Sequence, residues 1–259
     1  MTDVRRVELP LGLGSVTPMT APEVCRWILQ PPASPRTRIL ANLNLHGTYL
    51  AYRDEPFRRF TRLADAVLID GWPILQLARA GAARGQYIEN EARLGSTDWL
   101  EHLIRMDPDI TIVAVGGSPD SSRGMSEYVA RRSTQVRWVA FDGYSLEAQG
   151  SVGVEAGGRV DEWLPRADLV LVGMGMPVQE KWVLDRLVRC SVTAVVANVG
   201  GCFDYFSGHQ SLAPRWMGRF GLEWLYRLVH SPRRLVGRYL WEPIKLGREI
   251  VLHRGRPVL

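Results

Sequence analysis

Short apolar runs alternate along this chain with stretches whose apolar residues recur every three or four positions. Residues 37–45, "ADAVLIDG" (64–71), "DITIVAVGG" (109–117), "QVRWVAFDGY" (135–144), "ADLVLVGMG" (167–175) and "VTAVVANVGG" (192–201) read as strands, continuous in hydrophobicity and rich in β-branched residues. Between them, residues 47–63, 96–106, 118–132 and 178–190 carry helical periodicity. Unbroken apolar strands separated by amphipathic helices predict a mostly parallel sheet covered on both faces. The expected fold class is therefore α/β and Rossmann-like. The glycine-rich segment 150–158 reads as a loop.

Most of these runs close on a polar or glycine signal: Asn44, Asp70, Gly116–Gly117, Asp142–Gly143, Gly173–Gly175 and Gly200–Gly201. Ligands of open parallel sheets bind beyond the carboxyl ends of the strands, so these positions should meet in one crevice. The pattern changes after Gly208. No strand signal returns until late, and Met217, Phe220, Trp224, Leu225 and Leu228 follow helical spacing, flanked by Arg215, Arg219 and Arg227. This divides the chain into an α/β unit, 1–208, and a basic helical appendage, 209–259.

Charge sharpens that division. From Arg215 onwards lie ten of the 32 Lys and Arg residues but three of the 27 Asp and Glu, so this stretch carries +7 and the rest −2. A cationic amphipathic tail with tryptophans, on a near-neutral body, suits an anionic membrane surface and argues against a nucleic-acid partner. Nearly all the cations are arginine, which grips phosphate bidentately. No run approaches the roughly 20 apolar residues of a membrane span, and no signal-peptide pattern opens the chain. Cys25, Cys190 and Cys202 are widely spaced, without a CxxC pair, which fits a reducing compartment rather than a disulfide or zinc framework.

Four segments could carry chemistry. Asp70, ending "AVLID", is either a general base at the crevice or a turn and cap carboxylate. "VAVGGSPDSS" places Gly116 and Gly117 at a turn whose amides could hold a diphosphate, with Ser118 as the ordinary helix cap. "DPD" (107–109) resembles a metal-binding DxD, but it precedes its strand and so belongs to the opposite sheet edge, where it reads as a turn. In "VGMGMPVQEKW", Gly173 and Gly175 allow close backbone approach and Pro177 can open a helix at its first position. Gln179 and Glu180 then fall in the first turn, either toward a ligand or as caps. No carboxylate or histidine cluster has metal-ligand spacing.

Taken in order, "NLN" (42–44), "DG" (70–71), "RLGSTD" (93–98), "GGSP" (116–119), "GMGMPVQE" (173–180), "GGCFD" (200–204), "LAPRWM" (212–217), "GLEWLYRL" (221–228) and "SPRR" (231–234) resemble the motif series of the WecG/TagA/CpsF bacterial glycosyltransferases, across roughly residues 38 to 240. The resemblance implies an inverting transfer, without metal or cofactor, of a hexose or N-acetylhexosamine-type sugar from a nucleotide diphosphate such as UDP. The acceptor would be a polyprenyl-diphosphate-linked saccharide at the inner face of the cytoplasmic membrane, in exopolysaccharide, capsule or cell-wall polymer synthesis.

By position, Asp70 matches the base, with Gln179 and Arg93 beside it as catalytic residues. Asn42, Asn44, Gly116, Gly117, Gly173, Gly175, Tyr144 and Asp204 fall to the donor side, and Arg227, Arg234 and Arg238 to phosphate and membrane binding. Asn42, Gly95–Ser96, Val178 and Leu212 depart from the family pattern, which usually has Thr, Thr-Gly, Lys and Arg there. A homo-oligomer is compatible with the resemblance. The non-enzymatic alternative is a peripheral membrane scaffold of polysaccharide assembly.

Overall fold

The structure is a computed structural model that describes residues 5–32, 35–146, 148–153, 159–189, 192–211, 213–214, 217, 222–230, 232–253 and 259. A short antiparallel hairpin, β1 (Val7–Glu8) and β2 (Ser15–Val16), is followed by α1 (Ala21–Leu29). Then come β3 (Arg38–Leu43), α2 (Leu45–Arg53), α3 (Glu55–Leu63), β4 (Ala66–Ile69), α4 (Trp72–Gly81) and α5 (Ser96–Met106). The second half holds β5 (Thr111–Gly116), α6 (Pro119–Ala130), β6 (Arg137–Phe141), β7 (Ala148–Val152), α7 (Val160–Trp163), β8 (Leu169–Gly173), α8 (Val178–Arg189), β9 (Val195–Asn198) and α9 (Cys202–Phe206). Helices α10 (Glu223–His230) and α11 (Pro232–Val236) lead through a π turn, Gly237–Trp241, into α12 (Glu242–Leu252).

Seven strands form one sheet in the order β4-β3-β9-β8-β5-β6-β7, parallel except for β7. All six strands expected from the apolar runs are present, within shorter bounds. Alternate residues of β3, β4, β5, β6, β8 and β9 enter two separate cores. In β5, Val113 and Val115 join the core that also holds Ile39, Ile69 and Val172, while Ile112 and Ala114 join that of Leu40, Trp99, Trp138 and Phe203. A sheet buried on both faces is why its strands read as apolar runs rather than as alternation.

Three expectations are corrected. The helical stretch 47–63 is two helices. Asp54 breaks it and caps α3, accepting a hydrogen bond from the Phe57 amide at 2.9 Å, because Pro56 in the first turn of α3 has no N–H to continue α2. Part of the expected loop 150–158 is strand: β7 pairs antiparallel with β6, Trp138 opposite Val152, while residues 154–158 lie outside the described set. The late strand signal of the tail is instead helical, α12 running to Leu252. The motif residues Leu212, Arg215, Arg219 and Phe220, like Cys190, lie outside the described residues.

The tail helices lie against the α/β unit. Leu235 and Leu246 are buried, and Leu246 enters the core cluster with Leu45 and Tyr49 of α2 at its edge. Polar contacts fasten α12 to α2: His46 Nδ1 lies 2.6 Å from Glu242 Oε2, Arg53 pairs with Glu249 at 2.8 Å, and the rings of Tyr52 and His253 meet at 5.1 Å. Burial and the neighbouring Arg238 guanidinium hold the His46 pKa down, against the Glu242 carboxylate.

Candidate active site

An open cleft lies beyond the carboxyl ends of β3, β4 and β9, where this topology is expected to bind its ligand. Its walls come from distant stretches of chain: Asn42 and Asn44, Asp70, Gly95–Thr97, Gly175, Met176 and Gln179, Asn198–Cys202, Tyr205, and the tail residues Arg227 and Arg238.

Asp70 follows β4 directly and is partly exposed in the cleft. It does not cap α4, whose cap position is Gly71. Its Oδ2 accepts a hydrogen bond from Asn44 Nδ2 at 2.9 Å. Asn44 is itself fixed, because it caps α2: its Oδ1 accepts from the Gly47 amide at 2.9 Å. An amide whose oxygen is held by a helix end must turn its nitrogen the other way, here onto Asp70. One residue thus ends a strand, starts a helix and orients a carboxylate.

Gln179 also lines the cleft, but it is buried and already bonded. Its Nε2 donates to Glu180 Oε1 at 2.8 Å, and its Oε1 accepts from the Gly200 amide at 3.1 Å. Glu180 is no surface cap. Its carboxyl is fully buried, and burial pushes its pKa up. Pro177 stands one residue earlier than expected, ahead of α8, its carbonyl accepting from the Lys181 amide. Asn42 donates through Nδ2 to Ser96 Oγ at 3.0 Å and to the Asn198 carbonyl.

Other sequence-derived candidates sit away from the cleft wall. Gly116 and Gly117 take positive φ, but their closeness serves the sheet: a Cβ on Gly116 would come within 2.4 Å of Gly173, and the Gly117 amide donates to the Gly173 carbonyl at 3.0 Å. The amide of this turn is thus spent inside the protein. Gly173 packs under Phe203, where a Cβ would lie 2.8 Å from the ring. Gly175, with φ 76° and no heavy atom near its missing Cβ, does open onto the cleft.

Arg93 lies alongside the end of β4, bridged to Ile69, and is not among the cleft-lining residues. Tyr144 is 83% exposed outside the cleft. Asp204 accepts from Ser121 Oγ at 2.6 Å and so ties α9 to α6, whose cap is Ser118 as expected. Asp107 of the rejected metal motif accepts from Ser133, Thr134 and Gln135 in the turn ahead of β6. The Arg234 side chain lies outside the described set.

Sequence reasoning missed Ser96, Thr97, Asn198 and Tyr205 as cleft residues. The amide of Asn198 in the otherwise apolar "VVANV" was the available signal. Tyr205 carried none, because its role comes from Arg227, whose guanidinium carbon sits 5.5 Å above the ring. Two cations from the tail reach the cleft. Arg227 and Arg238 line it together with the first residues of α5 and α8, whose N-terminal dipole ends favour an anion.

Residues 10–257 match the sequence model of the glycosyl transferase WecG/TagA/CpsF family. The chain belongs to that family. A curated relative, the N-acetylglucosaminyldiphosphoundecaprenol N-acetyl-beta-D-mannosaminyltransferase of Bacillus subtilis (strain 168), is 26% identical over 201 residues, covering 76% of this chain and 73% of the relative. This WecG/TagA/CpsF protein is thus a glycosyltransferase enzyme, built on an α/β sheet as its strand pattern implied. Among its described residues no helix is long and apolar enough to cross a membrane.

Proposed function

We propose that this glycosyltransferase moves a hexose or N-acetylhexosamine-type sugar from a nucleotide diphosphate donor, UDP in the first instance, onto a polyprenyl-diphosphate-linked saccharide, with inversion and without a metal. The acceptor class follows the activity in the name of the Bacillus subtilis relative, which acts on a diphosphoundecaprenol-linked sugar. The observation that carries the reading is one cleft holding an oriented carboxylate, Asp70, and two arginines, Arg227 and Arg238.

The acceptor hydroxyl oxygen forms the new bond to the anomeric carbon while its proton passes to the Asp70 carboxylate. The bond from that carbon to the diphosphate oxygen breaks, and its electron pair leaves on the nucleotide diphosphate. Asn44, bonded to Oδ2, keeps the carboxylate aimed. The negative charge that develops on the leaving group falls to Arg227, Arg238 and the helix ends of α5 and α8, which supply charge stabilisation without proton transfer.

The same tail supports a peripheral membrane location. Its exposed apolar side chains include Trp224, Val229, Leu240, Trp241, Ile244, Val251 and Leu252, and cations are interleaved with them. A lipid-linked acceptor would meet the cleft there.

The test is Asp70→Asn, assayed with nucleotide sugars and a short-chain polyprenyl-diphosphate saccharide. Turnover should fall by at least about 100-fold, the scale of a lost general base, with the thermal melt unchanged. Normal turnover in this variant would remove Asp70 from the mechanism. Wild-type activity that vanished with EDTA and returned with a divalent cation would remove metal independence.

A further inference from the structure

We infer that Glu180 is a positioning residue for the transfer, its Oε1 being the shared acceptor that sets the side-chain amides of Gln179 and Asn198 and, through them, the wall of the cleft. The inference rests on the reading of this cleft as the site of transfer.

Glu180 itself does not line the cleft, yet its neighbours do. Its Oε1 accepts from Gln179 Nε2 at 2.8 Å and from Asn198 Nδ2 at 2.6 Å. Each of those amides is held at its other end. Gln179 Oε1 accepts from the Gly200 amide, and Asn198 Oδ1 accepts from the Asn42 amide at 3.0 Å. Asn42 returns a bond from Nδ2 to the Asn198 carbonyl and a second to Ser96. One buried carboxyl oxygen thereby ties α8, β9 and β3 at their cleft ends.

The geometry admits no alternative orientation of the amides. Turning either one over would set its oxygen against the carboxyl oxygen and its N–H groups against another N–H. The directions fixed by Glu180 decide what remains for a ligand. Among the described residues Gln179 keeps one unused N–H and one unused lone pair, and the buried Asn42 Oδ1 has no partner.

A role in helix capping or dipole compensation would be met by a surface carboxylate, whereas this one is 0% exposed. Nor does it form an ion pair among the described residues, and its Oε2 has no hydrogen-bond partner there. Oε1, shared by two cleft amides, is the part of the carboxyl in use, and a neutral group with an oxygen in that place would serve as well.

The experiment measures donor kcat and KM for the full-length chain, with circular dichroism melts alongside. Wild-type transfer is established first. Its absence across a panel of nucleotide sugars would overturn the transferase reading and this inference with it, whereas the variants bear on Glu180 alone. Glu180→Gln, which keeps an oxygen at the shared position, should stay within about threefold of wild-type kcat. Glu180→Met, similar in length but without an acceptor, should lose about 100-fold in kcat while remaining folded, the scale of a misplacement of about 1 Å at a reacting centre.

Placed on a background that combines Gln179→Ala with Asn198→Ala, Glu180→Met should cost less than about a further threefold, because both groups it acts through are gone. A merely structural residue would show losses that multiply. Unchanged turnover in Glu180→Met, multiplying losses in the triple variant, or a loss in Glu180→Gln as large as in Glu180→Met each overturns the inference. Should Glu180→Met not fold, Glu180→Gln decides: retention within about threefold upholds the shared-oxygen role, and a tenfold or greater loss ends it.

Discussion

Glu180 is a carboxyl that folding places out of reach of water, so its proton is held more tightly in the folded chain than in the unfolded one. The sign of the resulting pH dependence follows. Below the ordinary glutamate pKa both states are protonated, and the group adds no slope. As pH rises from that value toward the raised folded pKa, the unfolded state ionises first, and the folded state loses stability relative to it. Urea midpoints of wild type and Glu180→Gln, taken from pH 4 to pH 8, should therefore show wild type declining relative to the variant as pH rises. A constant difference between the two curves would mean that Glu180 does not titrate this way.

At the same scale, Asn44 and Asp70 show how far single residues were readable. Each stood at the end of an apolar run, which marked it for the crevice. The bond between them joins residues 26 positions apart and could not be inferred from either run alone. Gln179 was likewise marked, but its bond from the Gly200 amide depends on β9 arriving beside α8.

Among elements, the junction of β5 and β8 is tightly constrained. Gly116 and Gly173 face each other at the end of the parallel ladder, and Gly116 has φ 140°. Gly116→Ala would place a Cβ 2.4 Å from the Gly173 carbonyl group in a backbone conformation that L residues rarely adopt. We expect it to lower unfolding free energy by about 3 kcal/mol, the upper range for overpacking and backbone strain, as read from denaturant titration.

The glycine signals of the sequence also serve strand-to-strand approach, Gly116 and Gly117 both meeting Gly173. Helix boundaries show the converse. The break at Asp54 was present in the letters as a capping residue two positions ahead of proline, a local rule that the continuing apolar periodicity obscured. β7 had no such letters. Its place at the sheet edge comes from antiparallel pairing with β6.

For the whole molecule, the consequential arrangement is the return of the tail to the cleft. Helix α12 is fastened to α2, while Arg227 and Arg238 reach the cleft that Asp70 also lines. The exposed side of the tail can then be altered separately from the docked side. Trp241 is 60% exposed, so Trp241→Glu should leave the melt unchanged and weaken binding to anionic vesicles by about tenfold or more, from lost apolar burial and added like charge. Raising ionic strength should weaken wild-type binding as well. Co-sedimentation with vesicles at two salt concentrations checks both.

By itself the sequence determined the alternation of buried strands and amphipathic helices, the family, the concentration of positive charge after Gly208, and the carboxyl edge as the place for chemistry. Each of these is written in local composition, periodicity or short motifs. Only the tertiary structure decided which marked residues meet. It set Asn198 and Glu180 into the network beneath the cleft, spent the Gly117 amide on Gly173, held Arg93 and Tyr144 off the cleft wall, and brought two arginines from the end of the chain onto it. Those outcomes depend on strand order and on long-range hydrogen bonds, and neither has a local signature in the letters.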